Sequence, residues 1–140
     1  MNKSTIFKAT AWWAGLYHLG LGVTGVFADP PLMASIINRV FGASLEITPQ
    51  VFYLVKFCSA YMIAFALAMI LLALQPEKHK KLLWIPLSLF AIRLLERLYF
   101  SDLLTHSLGI PFRQEMITTV ILAVLIVLLF FSRPKEADAV

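Results

Sequence analysis

The sequence predicts an all-α integral membrane protein, a four-transmembrane-helix bundle with a short interfacial amphipathic helix between the first two spans. Three observations lead there. The 140 residues are 60% hydrophobic and only 14% charged, with a mean hydropathy of +0.82, whereas a soluble domain is nearer half apolar and a quarter charged. Apolar runs recur, each long enough to cross a hydrocarbon core about 30 Å thick. Most of the charges collect between those runs. The length suits a single domain, residues 1–140.

Span one is read at residues 9–28, uncharged throughout, with Asp29-Pro30-Pro31 as its stop. Lys3 and Lys8 before it and Val26-Phe27-Ala28 after it resemble signal-peptide flanks. The run is long for a signal core, however, and contains Trp12, Trp13, Tyr17 and His18, so it is read as a retained span. In residues 32–42, Leu32, Met33, Ile36, Ile37, Val40 and Phe41 recur at helical spacing opposite Ser35, Asn38 and Arg39, with Gly42 as terminator. This is the interfacial helix, which also suits a cap on the bundle. Thr48-Pro49 is an N-cap followed by a first-turn proline, opening span two at residues 51–74. Lys56 falls in its opening turns, within snorkelling reach of the headgroups. Gln75-Pro76-Glu77 ends that helix, and Lys78, His79, Lys80 and Lys81 make a basic loop. Span three is expected at residues 82–104, with Pro86 in its first turn or kinking it. Span four is expected at residues 112–131, Pro111 serving as its first residue and Glu115 complementing the helix dipole. A short polar tail runs from Ser132.

Lysine and arginine set the orientation. Lys3, Lys8, Lys78, Lys80, Lys81, Arg133 and Lys135 fall on one side; Arg39 and Arg113, with Lys56 near its span end, fall on the other. Both termini are therefore expected in the cytoplasm. The net charge of +4 does not indicate a nucleic-acid partner, because no soluble domain gathers the basic residues; they read as topology signals and anionic-lipid contacts. Cys58 alone excludes an intrachain disulfide and a cysteine-only metal cluster. There is no zincin, nucleophile-elbow, phosphate-loop or dinucleotide signature, and no histidine pairs with a carboxylate at metal-ligand spacing.

The exception to the charge segregation is Arg93, Glu96 and Arg97 inside span three. An ionisable group at a helix centre costs about 2.5–3.5 kcal/mol on insertion scales, so it normally faces a partner, a ligand or a cavity. Spacings of three and four put these residues near one face, with Glu96 able to neutralise one arginine. Lys56 and Glu115 fall in the same outer half, as do Asp102, Ser59, Thr118, Thr119 and Tyr99, while the inner halves of spans two and four are aliphatic. Two readings stand. One is an inter-helix ion network that fixes register. The other is an outer-half pocket in which Arg93, Arg97, Glu96, Lys56, Glu115 and His18 bind an anionic or carbonyl-bearing amphiphile, a lipid or a quinone. Proton transport or membrane catalysis through Glu96 is a third, which nothing in the spacing singles out.

Span one carries a second feature. Ala11, Gly15, His18, Gly22 and Gly25 recur every three or four residues, a small-residue seam of the kind that lets helices approach closely. It suits a helix–helix interface within the chain, or one with a membrane partner or a second copy. Haem ligation by His18 is disfavoured for want of a second ligand, since His106 lies near the outer surface and His79 in the cytoplasmic loop.

The glycine-dotted first span (Gly15 to Gly25), the amphipathic stretch from Leu32 to Phe41 and the late arginine of Ile92-Arg93-Leu94-Leu95-Glu96-Arg97 together resemble the small bacterial four-helix membrane proteins grouped as DoxX-like. That resemblance implies a multi-pass protein of the bacterial cytoplasmic membrane. Some proteins of that kind are associated with quinone-linked redox complexes, so the resemblance also implies an accessory role in a larger complex. The leading expectation is a non-catalytic bundle that binds a lipid or quinone-like ligand, with the accessory-subunit role as the alternative.

Overall fold

The computed structural model describes residues 2–133; Lys135 and the polar tail beyond Arg133 lie outside them. Helices are the only regular secondary structure among the described residues, with no strand. Helix α1 spans Lys3–Phe27. Asp29-Pro30-Pro31 does more than stop it. The Asp29 carboxylate accepts from Leu32 N at 2.9 Å and the two prolines fill the first turn, where a missing N–H costs nothing, so the motif also starts α2 at Pro30–Ile36. One π-helical turn, Ile37–Phe41, extends α2 to Gly42, whose φ of +72° suits a residue without a Cβ.

Helix α3 runs Pro49–Leu74, N-capped by the Thr48 hydroxyl, which accepts from Val51 N at 3.3 Å. Its end at Gln75 precedes Pro76, consistent with the extended bias of a residue before proline. A 3₁₀ turn, Lys80–Leu83, leads into α4, Trp84–Tyr99. Pro86 sits in the first turn of α4, where a missing N–H is tolerated. The expected third span is shortened: regular helix stops at Tyr99, and the chain continues through a wider π-helical turn, Leu103–Ser107. Helix α5 is Phe112–Phe131, with Pro111 as its N-cap rather than its first residue. The Pro111 carbonyl accepts from Gln114 N and Glu115 N.

Two of these helices, α3 and α5, are long and apolar enough to cross a membrane, with mean hydropathies of 2.4 and 2.3. Only 33% and 22% of their apolar stretches are buried, so most of that surface faces outward, unlike the core helix of a soluble protein. The glycines, threonines, aromatic residues and histidine of α1 dilute its hydropathy, and α4 has only 16 residues.

The small-residue seam of α1 packs inside the chain, along α3. A Cβ on Gly22 would come 2.9 Å from the Ser59 carbonyl and 2.8 Å from Ile63 Cγ1, and one on Gly15 would come 3.3 Å from the Ala66 carbonyl. Of the seam residues expected to mediate a helix–helix contact, Ala11, Gly15, Gly22 and Gly25 are all buried within the chain, and the three glycines lie against α3. Helix α4 packs on α5, and α5 on α1. The main apolar core fills the half of the bundle nearer the termini, around Phe7, Met69, Leu72, Phe90, Leu125 and Leu129. A second cluster, Met33, Ile37, Ala43 and Ile110, seats α2 over the other end as a cap. Gln114 Nε2 ties that cap to α5 by donating to the Val40 carbonyl at 3.2 Å.

Candidate functional site

Between the main core and the α2 cap lies a polar layer built from α1, α4 and α5. Helix α4 supplies Arg93 and Arg97, both half-buried and one turn apart. Helix α5 supplies Glu115 from its first turn, only 4% exposed. Arg97 feels the charge of Glu115 and of Arg93, which places the three in one electrostatic neighbourhood. They nevertheless form no ion pair: among the described residues no carboxylate oxygen comes within 4.0 Å of a guanidinium nitrogen. Arg97 Nη1 and Glu115 Oε2 are each sealed from solvent without a hydrogen-bond partner. Two cations and one carboxylate share this layer, which leaves it with one excess positive charge.

Helix α1 adds His18, whose ring is 5% exposed and lies 4.7 Å from Phe65 and 6.0 Å from Phe90 between centroids. Its Nδ1 lies 2.8 Å from the Ala14 carbonyl. A carbonyl only accepts, so Nδ1 carries a proton and donates; in the neutral ring that leaves Nε2 as an acceptor. Nε2 has no partner among the described residues and is not among the sealed atoms. Arg93 exerts its charge on both His18 and the neighbouring Tyr17. Phe90 faces His18 and Arg93 lies three residues on, so the arginine sits about 4.5 Å further along the α4 axis, toward the α2 cap. Tyr17 was not singled out in the sequence. Its signal would have been the spacing of four from Trp13, whose ring it stacks on at 5.6 Å.

Two expected members do not join the layer. Lys56 neither reaches the arginines nor snorkels outward. Its ammonium donates to the Val26 and Ala28 carbonyls at 2.6 and 3.1 Å and lies 4.7 Å from the Phe52 ring centroid. The terminal carbonyls of α1 lack intrahelical donors, and a cation there also complements the dipole. Glu96 is exposed, on an outward stripe of α4 with Ile92, Leu95 and Tyr99. Successive residues turn about 100° around a helix, so Glu96 and Arg97 diverge, and Glu96 lies about 60° to the other side of Arg93. The local neutralisation expected from Glu96 is therefore absent, and buried Glu115 is the carboxylate nearest Arg97 in effect. Ser59 and Thr118 return their hydroxyls to the Val55 and Gln114 carbonyls of their own helices.

The described residues hold no cluster of three or more potential metal ligands. A recess of about 250 Å³ lies at the opposite end of the bundle, lined by Lys3, Phe7, Pro76, Glu77, Ser132 and Arg133, and includes no residue of the polar layer. The chain matches no family model, and no curated protein or solved structure is significantly similar to it.

Proposed function

We propose that this chain is a four-span membrane protein, α1, α3, α4 and α5 being the spans, whose polar layer binds an anionic amphiphile through Arg93 and Arg97. The observation that carries the reading is the uncompensated charge: two half-buried guanidinium groups face one buried carboxylate, without an ion pair, in an otherwise apolar bundle. A buried cation without a partner costs several kcal/mol, and an anionic oxygen ligand removes that cost. The outward-facing apolar surface of α3 and α5 supports a bilayer setting, and the lysine and arginine distribution favours cytoplasmic termini, with the polar layer in the outer half. The resemblance to DoxX-like proteins of the bacterial cytoplasmic membrane fits this setting. An accessory-subunit role drew on the α1 seam as a docking face, and α3 already fills that seam.

The test is native mass spectrometry in detergent, titrating dodecyl phosphate into wild type, Arg97→Gln and Glu96→Gln. Wild type and Glu96→Gln should carry the adduct, and Arg97→Gln should lose at least about tenfold in affinity, the scale of one charge-assisted hydrogen bond. Equal binding by all three proteins would refute the reading.

A further inference from the structure

The polar layer contains an acceptor that an anion alone does not use. His18 Nδ1 is committed to the Ala14 carbonyl, so in the neutral ring Nε2 offers a lone pair with no donor among the described residues. An anionic oxygen would meet that lone pair unfavourably; a hydroxyl would satisfy it. The order along the bundle is also fixed. His18 stands opposite Phe90, Arg93 lies about 4.5 Å nearer the capped end, and Arg97 about 6 Å beyond that. A ligand whose anionic head meets the arginines from the capped end therefore reaches His18 with the part that joins head to tail. Past His18 the bundle is closed by Phe65, Phe90, Met69 and Leu87, so an acyl chain has no interior path and must leave sideways, toward the lipid. Tyr17, 40% exposed, lies next to His18 with its ring 5.4 Å away between centroids.

We infer that the site selects an amphiphile with a free hydroxyl between its anionic phosphate and its single acyl chain, as in a lysophospholipid, with His18 Nε2 accepting from that hydroxyl. The inference rests on the anion-binding reading above and adds to it a specificity-determining residue. A phosphate on Arg93 and Arg97 and a hydroxyl two carbons toward the tail span the offset of about 4.5 Å between Arg93 and His18. A second acyl chain esterified at that position removes the hydrogen-bond donor, so a diacyl phospholipid leaves Nε2 unsatisfied.

The probes are 1-oleoyl lysophosphatidic acid and its 2-deoxy analogue, which share charge and chain and differ only in the hydroxyl. Binding is read by native mass spectrometry for wild type, His18→Asn, His18→Gln and Arg97→Gln. Asparagine places its amide nitrogen near the Nδ1 position and leaves the Nε2 position empty, whereas glutamine can place an oxygen near Nε2. Wild type and His18→Gln should prefer the hydroxylated probe by about tenfold, the upper range for one neutral hydrogen bond. His18→Asn should bind both probes equally, at the level of the deoxy analogue. Absence of a preference in wild type, or its survival in His18→Asn, overturns the hydroxyl inference while leaving anion binding intact, provided Arg97→Gln still weakens both probes. If Arg97→Gln binds both as wild type does, the anion site itself is wrong and the inference falls with it.

Discussion

Replacing Gly22 by alanine should cost the bundle about 1–3 kcal/mol, the usual penalty for forcing a methyl group into a packed interface. The added Cβ would meet the Ser59 carbonyl at 2.9 Å, Ile63 N at 3.0 Å and Ile63 Cγ1 at 2.8 Å. Two of those three atoms are backbone, so no rotamer change relieves the contact and α1 and α3 must separate. Gly20 is the internal control. It lies on the same helix, and a Cβ there meets nothing within 4 Å. Gly20→Ala should therefore be neutral, or stabilising by up to about 1 kcal/mol through helix propensity. Gly25 adds a graded case, because the obstruction is the Ser59 side chain, whose hydroxyl donates to Val55 O. Gly25→Ala should destabilise, and Ser59→Ala in the same chain should restore part of the loss. The assay is reversible unfolding in mixed dodecylmaltoside and sodium dodecyl sulfate, followed by circular dichroism. If Gly22→Ala and Gly20→Ala unfold within about 0.5 kcal/mol of each other, the close α1–α3 approach described here is wrong.

Three further perturbations probe the polar groups, each read by the same unfolding assay. Lys56→Met should cost about 2–3 kcal/mol by stripping two carbonyls at the end of α1 of a charged donor, and a surface-like loss below about 0.5 kcal/mol would contradict the 2.6 and 3.1 Å contacts. Glu115→Gln should cost about 2 kcal/mol or more by leaving two arginines with no nearby anion, whereas Glu96→Gln should change stability by less than about 0.5 kcal/mol, because Glu96 is exposed; the reverse order would restore Glu96 as the neutralising group. Thr48→Ala should lose about 1 kcal/mol with its N-cap, detectable as a lower unfolding midpoint, and an unchanged midpoint would deny the cap.

What the sequence made legible was the local chemistry. Thr48-Pro49 opened a helix, Gln75-Pro76 closed one, and Gly42 terminated one at positive φ, because each signal is carried by a residue's own backbone preferences. The glycine seam was legible as a close-packing face, but not as one that α3 would occupy, since Ser59 and Ile63 give no mark in sequence of being its partners. The site was legible only in part. Arg93 and Arg97 stood out because charge is rare in such segments. Glu96 was expected beside them because spacings of three and four look equivalent in sequence. They are not equivalent in space: one step of three and one of four fall on opposite sides of a residue, and only the packing of α4 on α5 decides which side is buried. Lys56 was assigned to the headgroups for the same reason, since the carbonyls of Val26 and Ala28 that hold it lie 28 or more residues away.

The positions of the charges follow from how unevenly the helices are joined. Helices α1 and α3 are locked together by glycines whose backbone contacts leave no room for a side chain, let alone a ligand. Helices α4 and α5 pack on each other, and α4 reaches the first pair chiefly through rings, Phe90 against Phe65 and His18. That aromatic plug is where close packing ends. Below it the half of the bundle nearer the termini is filled by apolar residues; above it stand Arg93, Arg97 and Glu115, without the ion pairs that would mark a purely structural network. A network serving only to fix register would gain from direct contact between Arg97 and Glu115, which share a layer and a strong electrostatic incentive to meet. Their separation is the feature that packing does not account for. It falls within the α4–α5 pair, and a ligand oxygen reaching this layer would meet Arg97 Nη1, a donor left without a partner among the described residues.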